Sequence, residues 1–364
     1  NNPLKKNIAH IIQNLGKGWA ETIYVAEVNE LQEYHNIVIT LFKGNTFPHF
    51  NPGKLICLNV KHYLLTPFYF FKLKKILRTH QIVLVHSHLY WATLLARLAT
   101  PATIPLVTTI HTYVAQSVEY KKKFMQWLEK WSYRQRPSII MGDSVGVVTE
   151  YLRFFNLKPY LKVDAYSFVD PRVFSKRKER FRNAAAQEKF KIITVGRPTL
   201  QKNHTYLLDA FRTLKHDNLE LHIYGMGDRY EALKQRIEQE ELPVVLMGQA
   251  ANIQDIIPQY DLFTMSSLYE GFSVAVLEAM ALKMPMMLAD IPSFREQGAE
   301  EVIYFDLSNP GDFVQKLKSL AEDGGKQQKM AEGVWKRVMD HFTLEHHMAA
   351  LRKTYETALA EIPQ

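Results

Sequence analysis

Short, almost wholly apolar runs alternate along this chain with longer amphipathic segments, and that alternation leaves few folds open. In the first half the runs are "KNIAHIIQNL", "HNIVITLF", "QIVLVHSH", "IPLVTTIH" and "SIIMGDS". None places polar residues at every second position, so none suits a sheet with one face in water. Each reads as a strand covered on both faces, as in a parallel sheet. Between them, "PFYFFKLKKILRTH" and "VEYKKKFMQWLEKWSYRQR" carry helical spacing. The pattern is that of a doubly wound α/β protein.

At 364 residues the chain exceeds one compact core and fits two domains. "VDPRVFSKRKERFRNAAAQEKFK", with Pro171 and a dense basic run, carries no strand signal and reads as the connection between them. Beyond it a second series begins: "KIITVGR", "HTYLLDAFRTLKH", "LELHIYGMGD", "RYEALKQRIEQEE", "PVVLMGQ", "DLFTMSS", "SVAVLEAMALK", "PMMLAD" and "VIYFD". Both halves are therefore expected to be α/β, with a ligand in a crevice between them at the carboxyl ends of the strands.

Charge divides unevenly. Residues 1–180 hold 25 Lys and Arg against 11 Asp and Glu, a balance of +14, whereas residues 181–364 hold 20 against 26, a balance of −6. The basic half is expected to meet something anionic, either a phosphate-bearing substrate or acidic headgroups. No nucleic-acid module accompanies it, so nucleic acid is not an expected partner. The single cysteine, Cys57, excludes an internal disulfide and suits a reducing, cytoplasmic setting. The longest apolar run, "YLLTPFYFF" from Tyr63 to Phe71, is too short to span a bilayer and contains Pro67. No leader peptide is expected either, because the first apolar stretch turns polar at once.

Five stretches carry candidate chemistry. In "SSLYEGFSVAVLEAMAL" the strand "DLFTMSS" precedes the loop "LYEGF", and a helix follows. Gly271 permits a sharp turn and Ser273 is a candidate N-cap. The amides of Phe272, Ser273 and Val274 are expected to form an anion site beside Glu270, with Glu278 a turn and a half into the helix. Carboxylates accept sugar hydroxyls well. In "VGRPTLQKNH", Arg197 and Lys202 follow a strand and precede a helix, where two cations suit a diphosphate leaving group. "IIQNLGKGWAE" offers Gly16 and Gly18 in the first strand-to-helix turn but lacks the third glycine and the acidic residue of a dinucleotide fingerprint. His86, His88 and His111 end two strands. They are expected to hydrogen-bond and not to hold metal, since no carboxylate or cysteine stands near them at ligand spacing and the chain has no Asp-x-Asp pair.

As a set these residues resemble a retaining glycosyltransferase of family 4, with the architecture called GT-B. Glu270 and Glu278 match that family's Glu-x7-Glu element in "EGFSVAVLE", and Arg197 with Lys202 match its Arg and Lys pair. "LHIYGMGD" with Gly225, "SFVDPRVF", and "IPSFREQ" with Glu296 extend the resemblance over nearly the whole chain. It implies an acceptor-binding Rossmann-like domain at 1–170, a linker at 171–190, a nucleotide-sugar domain at 191–342, and a helix at 343–364 crossing back onto the first domain.

It also implies transfer without a metal or other cofactor and with retention, from a UDP- or GDP-sugar to a saccharide or lipid-linked acceptor in bacterial polysaccharide or glycolipid synthesis. Glu278 would take the ribose hydroxyls, Glu270 with Gly271, Phe272 and Ser273 the sugar and phosphates, Arg197 and Lys202 the diphosphate, and His111 the sugar near the reacting carbon. Gly16, Gly18 and Gly225 would line the donor. Two other readings stay open: a GT-B nucleotide-sugar epimerase, and a non-catalytic nucleotide-sugar-binding protein.

Two places depart from the family pattern. Trp19 follows Gly18 where relatives carry paired glycines, and Ser167-Phe168 stands in place of Asn-Gly. "YFFKLKKILR" and "EYKKKFMQWLEKW" interleave aromatics with lysines. Such helices either rest on a membrane surface or pack their rings inward.

Overall fold

The computed structural model describes residues 5–16, 18–47, 50, 52–174, 189–214 and 217–361. Most of the expected connection, at 175–188, lies outside the described residues. The chain divides into two compact bodies, Asn1–Ser167 with Glu345–Gln364, and Phe168–Leu344.

The first body holds seven strands: β1 (Asn7–Ile12), β2 (His35–Thr40), β3 (Lys54–Cys57), β4 (Leu84–His88), β5 (Leu106–Ile110), β6 (Ile139–Gly142) and β7 (Lys162–Asp164). They lie in the order β3-β2-β1-β4-β5-β6-β7, every pairing parallel. The apolar runs form β1, β2, β4, β5 and β6, which are buried along nearly their whole length. The outer strands β3 and β7 are only four and three residues long and largely exposed, so they leave a weak mark in the sequence.

Helices α1 (Trp19–Glu30), α2 (Phe70–Thr79), α3 (Tyr90–Ala99), α4 (Lys123–Gln135) and α5 (Val145–Phe155) cover this sheet. The two-residue period of β1 sorts its side chains between faces. Ala9 and Ile11 join Leu73 and Leu77 of α2 and Leu94 and Leu95 of α3, while Ile12 joins Tyr24, Val25 and Val28 of α1. The two basic aromatic segments begin as 3-10 turns, Tyr63–Tyr69 with Pro67 inside it and Glu119–Lys121, and only then become α2 and α4.

The second body contains α6 (Pro171–Phe174), β8 (Phe190–Val195), α7 (His204–Arg212), β9 (Leu219–Tyr224), α8 (Tyr230–Gln239), β10 (Val244–Gly248), α9 (Ile253–Ile256) and β11 (Leu262–Met265). α10 (Val274–Ala281), β12 (Met286–Ala289), α11 (Pro292–Gly298), β13 (Ile303–Phe305), α12 (Pro310–Glu322) and α13 (Gly324–His341) complete it. Its six strands run β10-β9-β8-β11-β12-β13, again all parallel. Strand order therefore reverses between β8 and β11, where such sheets take their ligands.

The last helix, α14 (Leu344–Glu361), belongs from Glu345 onward to the first body. It buries Met348, Leu351, Tyr355 and Ala358, and Arg352 Nε donates to Glu33 Oε1 at 2.7 Å. Among the described residues no helix is long and apolar enough to cross a membrane.

Candidate functional site

The loops leaving β8 and β11 are stitched together at the reversal point. Leu268 N donates to Gln201 O at 2.9 Å, Gln201 Nε2 to Tyr269 O at 3.0 Å, and Ser266 Oγ to Lys202 O at 3.1 Å. Across this seam the Lys202 ammonium donates to Glu270 Oε1 at 2.6 Å, with the two side chains 19% and 9% exposed. The loop after β9 closes on the same place. Gly225 has φ +140°, and a Cβ there would lie 2.3 Å from Gly196 O, so only glycine fits.

Arg197 is exposed and, among the described residues, makes no ion pair or side-chain hydrogen bond. His204, at the start of α7, adds no third cation: burial first, then Lys202, pushes its imidazole down to about 4. Glu278 is half-buried on α10 with no hydrogen-bond partner among the described residues, and loss of solvent raises its carboxyl to about 7. It can be satisfied by hydroxyl donors from a ligand.

The expected amide cradle is altered at one position. Ser273 occupies the N-cap of α10, yet its side chain caps nothing, and its hydroxyl instead approaches Met265 Sδ at 3.6 Å. Its amide is taken by Gln297 Oε1 at 3.0 Å, and Gln297 Nε2 returns a bond to Ser273 O at 2.8 Å. Ser273 N is thus unavailable to an anion, because a side chain from α11 completes it. Gln297 stands within "IPSFREQ", but nothing local in the sequence pairs it with a loop 24 residues earlier. Phe272 is buried with its ring 5.1 Å from that of Phe342, so it serves packing. Gly271 is half-buried at the turn itself.

Gly16, Gly18 and His111 lie in the first body. Neither glycine has a positive φ, and the only close neighbour of a Cβ at Gly18 would be the mobile end of Glu21, so backbone strain does not dictate glycine at either position. Trp19 Nε1 donates to Ser167 Oγ at 3.2 Å, which joins the two departures from the family pattern in one contact.

The histidines are not isolated as the sequence suggested. His10 and His86 are register partners on adjacent strands. The His86 ring nitrogens meet Tyr355 Oη and Thr109 Oγ1, each at 2.7 Å. His88 Nδ1 lies 3.1 Å from His111 Nε2, and His111 Nδ1 lies 3.0 Å from Asp143 Oδ2. Folding brings Glu27 of α1 to His88, and Glu27, His86 and His88 offer ligand atoms within 4.8 Å of one another. A carboxylate therefore does accompany the histidines, although spacing along the chain hid it. This trio is a poor metal site, since both His86 nitrogens are already engaged by hydroxyls.

Asp143, at the end of β6, was legible as an acidic residue closing an apolar strand; Glu27 and His347 gave no such signal. His111 also lines a partly open cavity in the first body with Gln13, Thr109, Thr112, Glu119 and Tyr120.

Residues 175–337 match the family model described as glycosyl transferases group 1, and residues 22–153 match that of glycosyltransferase family 4. The chain belongs to the group 1, family 4 glycosyltransferases. This family 4 chain is 27% identical over 198 residues to the N-acetylgalactosamine-N,N'-diacetylbacillosaminyl-diphospho-undecaprenol 4-alpha-N-acetylgalactosaminyltransferase of Campylobacter jejuni, covering 52% of each chain. It is 26% identical over 235 residues to the Escherichia coli UDP-Gal:alpha-D-GlcNAc-diphosphoundecaprenol alpha-1,3-galactosyltransferase, covering 60% of each. The chain spans about half the length of the curated relatives it matches. Among solved structures, HepE from Anabaena in complex with UDP superposes with a TM-score of 0.81 at 16% identity, covering 96% of this chain and 100% of that one. The fold of this family 4 chain is GT-B.

Proposed function

We propose that the protein transfers a sugar from a UDP-sugar to a lipid-linked saccharide acceptor, without a metal ion and with retention at the anomeric carbon. The observation that carries this reading is the constellation at the β8–β11 reversal: Lys202 on Glu270, with Arg197 and the carboxyl of Glu278 unpaired among the described residues. Two cations answer a diphosphate, and two carboxylates answer hydroxyls. The choice of UDP over GDP follows HepE, solved with UDP, and the Escherichia coli relative named for UDP-Gal. The lipid-linked acceptor follows the two undecaprenol-diphosphate relatives.

In this reading Arg197 and Lys202 hold the diphosphate, Glu278 the ribose hydroxyls, and Glu270 the sugar, while Gly225 keeps the β9 loop clear of the donor. As the bond from the anomeric carbon to the diphosphate breaks, the cations stabilise the charge left on its oxygens. The acceptor oxygen bonds to that carbon on the same face, and its proton passes to a phosphate oxygen of the leaving group. In the first body Gly16 N already donates to Asn14 Oδ1 and Gly18 O accepts from Thr22, so any part these glycines play toward the donor is through the shape of the turn, and His111 contributes charge from the wall of its cavity.

The first body also carries a surface suited to the inner face of an anionic cytoplasmic membrane. On α4, Phe124, Trp127 and Trp131 are exposed, and their rings stack in sequence with centroids 5.8 and 6.0 Å apart. Lys121, Lys122, Lys123 and Arg134 flank them, and on α2 exposed Phe71 stands with Lys74, Lys75 and Arg78. These rings point outward while Met125 and Leu73 take the inward positions, which supports the membrane-surface reading of these helices.

The test is transfer from UDP-glucose, UDP-galactose and UDP-N-acetylglucosamine to a short-chain lipid-diphosphate saccharide in EDTA, with the product's anomeric coupling read by NMR. The proposal expects an α-linked product with EDTA present. A β-linked product, or activity abolished by EDTA and restored by a divalent ion, contradicts it. Conversion of the sugar nucleotide with no acceptor product would favour the epimerase reading.

A further inference from the structure

A line of buried polar groups runs through the first body from the cavity wall to α14. Asp143 Oδ2 meets His111 Nδ1 at 3.0 Å, His111 Nε2 meets His88 Nδ1 at 3.1 Å, and His88 Nε2 stands 3.5 Å from Glu27 Oε2. Glu27 Oε1 meets His347 Nε2 at 2.8 Å, and His347 Nδ1 meets the carbonyl of Tyr166 at 2.9 Å. The side chains of Glu27, His88, His111, Asp143 and His347 are at most 4% exposed.

The chemistry of the ends fixes where the protons lie. A carbonyl only accepts, so His347 Nδ1 carries a proton. An ionised carboxylate only accepts, so Asp143 requires a proton on His111 Nδ1 and Glu27 requires one on His347 Nε2. Two arrangements remain for the middle. If His111 is neutral, its bare Nε2 takes the proton from His88 Nδ1, and His88 Nε2 then faces Glu27 Oε2 with a lone pair on each and no hydrogen between them. Both of those atoms lack a hydrogen-bond partner among the described residues, as does Asp143 Oδ1 at the other end of the line. If the line holds one further proton, His111 is doubly protonated, His88 switches tautomer, and His88 Nε2 donates to Glu27. Every junction is then satisfied. The line carries two anions, Asp143 and Glu27, and two cations, His111 and His347, and is neutral as a whole, as burial demands.

We propose that Asp143, His88, Glu27 and His347 act as positioning residues that hold His111 as an imidazolium on the wall of the first-body cavity, making it a site for an anionic group of the acceptor. The electrostatic surroundings agree with this. Burial alone would lower His111, but the charge and hydrogen bond of Asp143, helped by Glu27 and Glu21, raise it above the ordinary histidine value. For His347, burial is likewise outweighed by Glu27. Burial, then His86 and His111, holds His88 well below it, as a neutral tautomer switch requires. The other titratable groups facing the line or the cavity are His10 of β1 and His86 of β4, both lowered chiefly by burial, Tyr24 of α1, Tyr355 of α14, and Tyr90, Glu119, Tyr120 and Glu129 on the cavity wall.

The deciding experiment is a pH titration of the full chain labelled with ¹⁵N-histidine, without substrate, for wild type and Glu27→Gln. The proposal expects both His111 ring nitrogens protonated at pH 7, and deprotonation at least one pH unit lower in the variant. A neutral His111 at pH 7 in the wild type overturns it, and that reading stands even if the variant fails to fold. An unchanged His111 titration in folded Glu27→Gln also overturns it. The link to catalysis rests on the glycosyltransferase reading. There, the alkaline limb of kcat/KM should move down by a similar interval in Glu27→Gln. Absence of all transfer activity would count against the proposed function alone, because the titration answers independently.

Discussion

Lys202 Nζ lies 2.6 Å from Glu270 Oε1, although 68 residues separate the two in sequence. Lys202 follows the strand at one side of the reversal point and Glu270 follows the strand at the other, so the sheet topology itself brings the pair together. In the resting protein the ammonium is satisfied by Glu270. A bound diphosphate would share or take that cation, which frees the carboxylate to accept a sugar hydroxyl.

Glu278 gives a prediction with a definite sign. Its folded-state carboxyl titrates at about 7, above its unfolded value, because burial disfavours the charge. The native state therefore binds the proton more tightly, and this contribution is fully present below the unfolded value and lost as pH rises through about 7. Glu278→Gln removes the penalty: its Tm should match the wild type at pH 5 and exceed it at pH 8. About 1 kcal/mol is expected after allowing for solvent screening of a half-buried group, or roughly 2–4 °C. The same variant should bind UDP-sugar roughly tenfold more weakly. Equal Tm differences at the two pH values would contradict the desolvated carboxyl.

Removal of α14 should be costly for the first body. Truncation after Phe342 strips Tyr355 from His86 and His347 from Glu27, leaving buried polar atoms unpaired, and uncovers the apolar surface beneath Met348 and Leu351. Several kcal/mol are expected from these losses together, on the order of 1–3 kcal/mol for each unpaired group. Denaturant unfolding would show it, and a truncated chain with an unchanged midpoint would count against the packing described.

Gly225→Ala should destabilise the second body without touching its charges. The added methyl meets a backbone oxygen at 2.3 Å, and the φ of +140° is itself unfavourable for any other residue. A loss of roughly 2–4 kcal/mol is expected, together with weaker donor binding as the β8 loop shifts. A variant as stable as the wild type would show that the loop relaxes freely.

The stacked rings of α4 predict a membrane readout. Wild type should sediment with vesicles rich in phosphatidylglycerol and much less with pure phosphatidylcholine, and added salt should weaken the binding. Trp127→Ala with Trp131→Ala should reduce the bound fraction several-fold at a small cost in Tm, since Trp127 is 57% and Trp131 37% exposed. Equal partitioning of wild type and variant would remove this surface from the account.

Sequence reasoning reached the elements whose burial leaves a mark. The apolar runs located eleven of the thirteen strands, and the two that escaped, β3 and β7, are the exposed outer strands of one sheet. Glu270, Lys202 and Arg197 stand out as candidates because a short stretch of fixed spacing carries each, and the fold sets Lys202 against Glu270. The Ser273–Gln297 exchange and the line from Asp143 to His347 were not, because they depend on side chains 24 to 320 residues apart meeting in space. Spacing along the chain also misjudged the histidines, which seemed to lack a carboxylate until the fold set Glu27 beside His88.

The most direct test is calorimetric titration with UDP in EDTA for wild type and for the Arg197→Ala, Lys202→Ala double variant. Saturable binding by the wild type without a metal ion is expected, with a loss of roughly a hundredfold in the double variant, near 1.4 kcal/mol for each cation. Binding that needs a divalent ion, or that survives loss of both cations, would contradict this.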